Sequence, residues 1–460
     1  MVRTERKKMK KIISLLTTMA LTVSLLTGCG NTNTGSSVDT GTTTDSSTSI
    51  QNVEDSSSLL DSENPITVTF YSYSLSYPSM KDGMEHLINS FNETIGAEKG
   101  VIVEGIADDM TKFRTDIQAG NQVDVVQMTF GQLDSARTAL GFQAYEDIFP
   151  SDELAAHLSG ISENAQALAK IDGKMYGLAF TFSTPILYIN GSLFREAGLD
   201  PENPPTTWAE MLDYAKTIKE ATGKNGLAFS PTNGWVTEGI VYTAGSDMLN
   251  ADKSEAVFAN EKTFAAFETW KEFYTSGCAV AETDSEAAQE FMAGNAAMHI
   301  QSTSMLSGII ASSEAGGWEL YGAAMPGIGD NEAVPVNSGS CLTVRSDSPE
   351  KAAAIWEFIK YVTGDEGYTI ITSEIGYLPL RTYLADDPAY LKDFVDQYPL
   401  LRINLEQLER IRPVTIWPAK NGTEEFALFY DGVQKALTTD ASVEEVLTKT
   451  QADINALLQQ

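Results

Sequence analysis

The stretch IDGKMYGLAFTFSTPILYINGSLFREAGLDPENPPTTW, residues 171–208, decides the fold. Gly177 opens an apolar strand, and a second strand ends on Tyr188-Ile-Asn190. Gly198 supplies the C-cap of a short helix, since a left-handed residue there is cheapest without a Cβ. Pro204-Pro205 holds an extended approach to Thr207-Trp-Ala-Glu210. A Thr followed three residues on by Glu is a capping box, so a helix starts there and stops near Gly223.

Toward the N-terminus the chain alternates. PITVTFYSY at 65–73 is β-rich, and MEHLINSFNETIG at 84–96 has helical spacing with Gly96 as its stop. VIVEGI reads as a second strand, MTKFRTDIQAG as a second helix and VDVVQM as a third strand. That rhythm predicts a parallel, helix-covered sheet. Toward the C-terminus, Ser442-Val-Glu-Glu445 opens a last helix with Val446, Leu447, Ile454 and Leu457 on one stripe. The body from about 65 to 460 exceeds what one core usually serves, so two lobes are expected. There is no internal repeat.

The first eleven residues carry six Lys or Arg, and the apolar run Ile12–Leu26 follows. The run is too short and too diluted by Ser and Thr for a membrane span, which needs about 20 apolar residues. It reads as a secretory signal, 1–28. Leu26-Thr27-Gly28-Cys29 resembles the bacterial lipoprotein box, which implies that Cys29 becomes the first mature residue and carries a diacylglycerol. The Ser-, Thr- and Gly-rich segment up to Glu63 is then a disordered tether behind that anchor. The expected location is extracytoplasmic, on the outer face of the cell membrane.

The whole chain has 31 Lys and Arg against 63 Asp and Glu, a net charge of −32. Without the signal the balance becomes 25 against 62, or −37. So acidic a body is a poor partner for nucleic acid or an anionic surface. Three Cys exclude a disulfide scaffold, and Cys341 within SCLTV reads as a buried thiol, leaving a Cys278–Cys341 pairing open. His86 and His157 stand in helical stretches without metal spacing, and His299 alone makes no zinc site. No metal or cofactor is expected. Ser348-Pro-Glu-Lys351 fits a Ser-x-x-Lys pattern, but lacks Lys-Thr-Gly and Ser-Asp-Asn partners and reads as an N-cap with Pro at the first helical position. An enzyme is not expected.

Residues 171–208 resemble the bacterial extracellular solute-binding proteins that serve ABC importers, in their large sugar-binding branch. Gly173-Lys-x-Tyr-Gly177, Tyr188-x-Asn190, Ala197-Gly-Leu199 and Pro204-Pro-x-Thr-Trp208 carry the likeness. Phe291–Met298, Ser348–Ala353, Thr363–Gly367 and Gly376–Pro379 extend it over nearly the whole mature chain. Ser183–Tyr188, Gly234-Trp235 and Ser338-Gly339 are shared most closely with glycerol-3-phosphate-binding members.

The resemblance implies two α/β lobes of the type II periplasmic-binding-protein fold, joined by three crossings. These are expected near Leu178–Phe182, Ala323–Gly327 and Tyr377–Leu380. Lobe one is then 64–179 plus 325–376, and lobe two 180–324 plus 377–460. It also implies a monomer that closes on its ligand, a carbohydrate, and meets ABC permease subunits. Ser183 (as the first strand of lobe two), Trp235, Ser302, Gly339 and Tyr377 are the implied ligand contacts.

Asp109, Tyr71, Tyr73 and Trp417 are further candidates, as sugar-hydroxyl acceptor and stacking faces. Two departures bear on the ligand. The late Arg that pairs with phosphate in glycerol-phosphate binders is Phe426 here, and an acidic contact near Gln127–Gly131 is Phe130. Loss of the cation removes the bidentate anchor a phosphate wants, so a mono- or oligosaccharide is the expected ligand, with glycerol-3-phosphate the alternative.

Overall fold

The computed structural model describes residues 56–231, 233–418 and 422–459, with the side chains of Ser79, Trp235, Gly422 and Thr423 outside the description. The signal, Cys29 and most of the expected tether therefore lie outside the described residues. Eleven strands are present among them: β1 Ile66–Ser72, β2 Val101–Ala107, β3 Val125–Thr129, β4 Lys170–Ile171, β5 Lys174–Met175, β6 Leu178–Ser183, β7 Pro185–Asn190, β8 Asn225–Ala228, β9 Ala296–Ser302, β10 Leu320–Ala323 and β11 Ser338–Val344. They form a five-stranded sheet in the order β2-β1-β3-β11-β6, a four-stranded sheet β10-β7-β9-β8, and the small hairpin β4-β5.

In the first sheet β1 runs parallel to β2 and β3, as the alternating sequence predicts, whereas β11 is antiparallel to both its neighbours. Strands covered on both faces lose the in–out alternation, and β3, β6 and β7 are mainly apolar and buried nearly throughout, with Gln127, Thr181, Ser183 and Asn190 as buried polar exceptions. Edge strand β2 alternates instead, Val101 and Val103 inward and Ile102 and Glu104 outward. A first core gathers Phe70, Phe91, Phe180 and Phe358 under this sheet. A second packs Trp208, Phe229, Trp270 and Phe273 against one face of the other sheet.

The capping box forms as read: Thr207 accepts from Glu210 N–H, Glu210 bonds back, and Gly223 ends the helix Trp208–Thr222 at φ +73°. Gly96 does not stop its helix. The chain stays helical through Lys99 and ends at Gly100, φ +74°. Gly96 is there for closeness, since a Cβ on it would stand 2.6 Å from Val101 O.

The sheets put the crossings elsewhere than the resemblance implied. β6 belongs to the first sheet through Ser183, which pairs with Ser338, and β7 opens the second sheet at Pro185. Thr184 is thus the whole of the first crossing, and Ser183 ends a strand of lobe one rather than starting lobe two. Gly327 is still tied to lobe two, its N–H donating to Thr206 O and its carbonyl accepting from Trp208 N–H. The second crossing comes at Val336–Asn337, just before β11.

Tyr377–Leu380 lies along β6, with Leu378 N–H bonded to Phe182 O at 2.8 Å. The third passage is long and ends where Arg412 N–H bonds Pro335 O and Thr415 N–H bonds Glu238 in lobe two. Arg412 and Val336 pair as a parallel bridge, so the second and third passages run side by side. The helix Leu400–Gln407 clasps the first crossing: Asn404 Nδ2 donates to Thr184 O and Oγ1, and Gln407 Nε2 to Pro185 O.

Candidate functional site

Strand ends of the first sheet bring small hydroxyls around one amide. Gln127 on β3 donates through Nε2 to Ser74 Oγ at 2.9 Å, Ser340 Oγ at 3.1 Å and Thr181 Oγ1 at 3.2 Å. Its Oε1 accepts from Ser72 Oγ at 2.5 Å. Thr181 Oγ1 and Ser340 Oγ also bond each other, and Tyr73 OH lies 3.3 Å from Thr181 Oγ1. All these groups are buried and uncharged. A satisfied network of this kind fixes side-chain directions in low dielectric.

Tyr377 adjoins the network through its hydroxyl and Tyr73, and burial raises both phenols above the ordinary tyrosine range. Neither ionises near neutrality, so both act as neutral hydrogen-bonding groups on aromatic bodies.

Gly339 stands at φ +109° beside a bulge in β11, and a Cβ there would lie 1.8 Å from Thr181 O. The backbone that approaches Gly339 so closely is therefore β6. Ser302, at the end of β9, donates to Ser183 Oγ at 2.9 Å across the crossing and lies 2.8 Å from Ser304 Oγ. Its hydroxyl also accepts from Ser304 N–H, capping a short helical turn. Gly376 closes the group, with its Cβ direction 3.8 Å from Ser304 O. Five of the sequence candidates, Tyr73, Ser183, Ser302, Gly339 and Tyr377, thus gather around the first crossing.

The remaining candidates stand apart from that cluster. Asp109 is exposed, and its Oδ1 accepts from Thr111 Oγ1 at 2.6 Å and from the N–H groups of Thr111 and Lys112. The Thr111 hydroxyl holds its carboxyl below the usual range. This is the turn that starts helix Lys112–Gln118. Phe130 is buried at the end of β3 in the first core. Tyr71 donates to Asp116 at 2.9 Å, with the Lys112 ammonium over its ring. Trp417 is buried in the second core, its Nε1 without a hydrogen-bond partner. Trp235 sits in the first turn of helix Gly234–Thr243, capped by Asn233, and its side chain lies outside the described residues.

Sequence reading missed the network itself, although Gln127 interrupting VDVVQM and Thr181 inside a buried strand were its visible trace. It also missed Tyr77, 47% exposed and edge-on to Tyr73 with ring centroids 6.1 Å apart. Asp284, the first residue of helix Asp284–Met292, receives Asn233 Nδ2 at 2.7 Å and Gln301 Nε2 at 3.1 Å on its carboxylate. It ties the cap of the Trp235 helix to the end of β9.

Phe426 is 41% exposed and edge-on to Tyr430, with ring centroids 4.2 Å apart. Cys278 and Cys341 are separate buried free thiols. His299 is stacked on Phe291 and donates through Nδ1 to Ala228 O, a core arrangement. No group of three or more metal-ligating side chains occurs among the described residues.

Residues 86–399 match the family described as bacterial extracellular solute-binding protein. The sn-glycerol-3-phosphate-binding periplasmic protein UgpB of Salmonella typhimurium is 24% identical over 305 residues, 62% of this chain and 66% of that protein. UgpB of Escherichia coli is 27% identical over 241 residues, 49% of this chain and 53% of its own. The match thus spans from about half to just under two thirds of these relatives' length. The cyclic alpha-maltosyl-1,6-maltose binding protein from Arthrobacter globiformis superposes with TM-score 0.74 at 24% identity, over 86% of this chain and all of the other. UgpB from Mycobacterium tuberculosis, in complex with glycerophosphocholine, gives 0.72 at 22%, over 86% and 99%. Both share the two-lobed fold.

Proposed function

Because the chain belongs to the bacterial extracellular solute-binding proteins, we propose that it captures a carbohydrate between its lobes and hands it to the permease of an ABC importer. One observation carries the carbohydrate reading. The groups gathered at the first crossing are hydroxyls, an amide and tyrosines, and the expected correspondence of Phe426 to the phosphate-pairing Arg of glycerol-phosphate binders agrees with an uncharged ligand. Hydroxyl and amide groups match the rim of a sugar, and aromatic faces match its C–H side. A phosphate would need a cation to offset its desolvation.

Ser183, Ser302 and Tyr377 are the proposed polar contacts, with Trp235 and Phe426 as apolar faces. Hinge closure at Thr184 and the paired passages 336–337 and 411–414 is the proposed capture step. Cys29 is the proposed lipid anchor, which would hold a monomeric body at the outer face of the membrane. Glycerol-3-phosphate or a glycerophosphodiester is the second reading, favoured by the names of the relatives UgpB.

A thermal-shift panel of maltose, maltotriose, tagatose and sn-glycerol-3-phosphate separates the two readings, because a ligand that binds only the folded state raises Tm by mass action. Stabilisation by a saccharide and none by the phosphate is expected. A response to sn-glycerol-3-phosphate alone overturns the carbohydrate reading, and turnover of any stabilising compound overturns pure binding.

A further inference from the structure

Helix Gly234–Thr243 buries one acidic side chain, Glu238, which is 0% exposed. Its Oε2 accepts Thr415 N–H at 2.8 Å, and Tyr430 OH approaches Oε1 at 3.4 Å. Thr415 lies on the extended segment that ends the third passage, and its hydroxyl is 2.9 Å from Tyr242 OH. The Tyr430 ring carries Phe426 and presses on Gly234, where a Cβ would come within 2.3 Å of its Cζ.

Three elements therefore meet at one carboxyl, beside the first turn that bears Trp235. None of the ion pairs among the described residues includes Glu238. The titratable groups facing it are Tyr242 on its own helix and Tyr430 on helix Gly422–Thr438. The same segment brings Arg412, whose guanidinium lies 3.8 Å over the Tyr242 ring and pairs with Asp247 at 2.7 Å. A carboxyl buried without a cation costs several kcal/mol when ionised, which a site keeps only where the hydrogen bonds it gathers are wanted.

We propose that Glu238 is a positioning residue that holds the Thr415 segment and the Tyr430–Phe426 pair against the Trp235 helix as one wall of the ligand cleft. The inference rests on reading that face as cleft wall, but its test does not need a ligand. Burial pushes the Glu238 carboxyl up to about 7. The packed wall therefore prefers the protonated form, whereas a loosened wall that admits water releases the proton with ordinary ease. Between about pH 6 and pH 8 the loosening equilibrium should then rise about tenfold.

Hydrogen–deuterium exchange on the full chain reads this directly, in peptides covering 411–417 and 424–430, after correction for the intrinsic pH dependence of exchange. Opening should rise about tenfold in the native protein and stay flat in Glu238→Gln, which keeps the shape and one acceptor. Equal pH dependence in both proteins, or a flat native profile, overturns the proposal. Tyr430→Phe covers the case in which that variant does not fold: removing one donor should move the midpoint to higher pH, and an unmoved midpoint overturns the role. Failure of every saccharide in the thermal panel would sink the carbohydrate reading and leave the exchange result standing.

Discussion

His157 and Glu238 pull the stability of the body in opposite directions as pH changes. Thr363 Oγ1 sits 2.8 Å from His157 Nε2 and in turn donates to Ile359 O, so Nε2 carries the ring proton. Arg381 Nη2 donates to Nδ1 at 3.2 Å, which closes the site to a second proton. Burial, helped by the Arg381 and Lys360 cations, lowers the imidazole to about 3. The unfolded chain takes up that proton near 6.5, so this stabilisation is full above about 6.5 and is lost as pH falls toward 3, by roughly 5 kcal/mol in all.

Glu238 has the opposite slope. Its folded value lies above the ordinary 4.5, so stability falls as pH rises from about 4.5 to about 7, by roughly 3 kcal/mol. His157→Gln should flatten the acid limb of a urea-denaturation pH profile, and Glu238→Gln should raise the plateau above about pH 7 while leaving pH 5 little changed. A native-like acid limb in the first variant, or no gain at alkaline pH in the second, would contradict these assignments. None of this was visible in the sequence. His157 and Glu238 are surface-type residues in helical spacing, and their burial comes from elements about 200 residues away. Gly339 was reached only through the family resemblance, and its partner, Thr181 O, was not visible at all.

At the scale of elements, the helix Leu400–Gln407 matters more than its amphipathic pattern suggests. Asn404 and Gln407 are fully buried, and both reach the one-residue crossing at Thr184. Asn404→Ala removes two donations and leaves Thr184 O and Oγ1 short of a partner, at a cost of about 1–3 kcal/mol. Small-angle scattering should also show a broader spread between open and closed forms. A variant with native stability and an unchanged scattering curve would deny the helix its clasping role.

The capping box at Thr207, the Ser348 cap and the strand rhythm of 65–128 were legible because their signals are local. The crossings were not. Apolar residues meeting Gly or Pro mark many strand ends, and only pairing partners such as Ser183 with Ser338 tell which sheet a strand joins. Gly96 misled for the same reason: its function is contact with Val101 O rather than a left-handed turn.

For the molecule as a whole, a net charge of −32 surrounds a gathering of uncharged groups. Such a field repels anions and leaves neutral solutes untouched, and salt screens it over about 10 Å at 0.1 M. Titration calorimetry of a stabilising saccharide should give the same Kd, within about twofold, from low to high salt. An affinity that shifts strongly with salt would mean a charged ligand. Composition made the charge legible at once, and the family likeness made the two lobes legible. The polar network was not, because it is assembled from β1, β3, β6 and β11, which lie far apart in the chain.

One consequence follows from the shortness of the first crossing. Thr184 is followed by Pro185, whose ring fixes φ and restricts the ψ of the residue before it. The covalent link between the sheets therefore keeps few soft torsions, and these are loaded by Asn404 and Gln407. Such a link bends like a strap hinge with a set pin rather than a ball joint. In the proposed hinge closure, opening and closing would then follow one arc, and ligands of different size would meet the same two faces along the same line of approach.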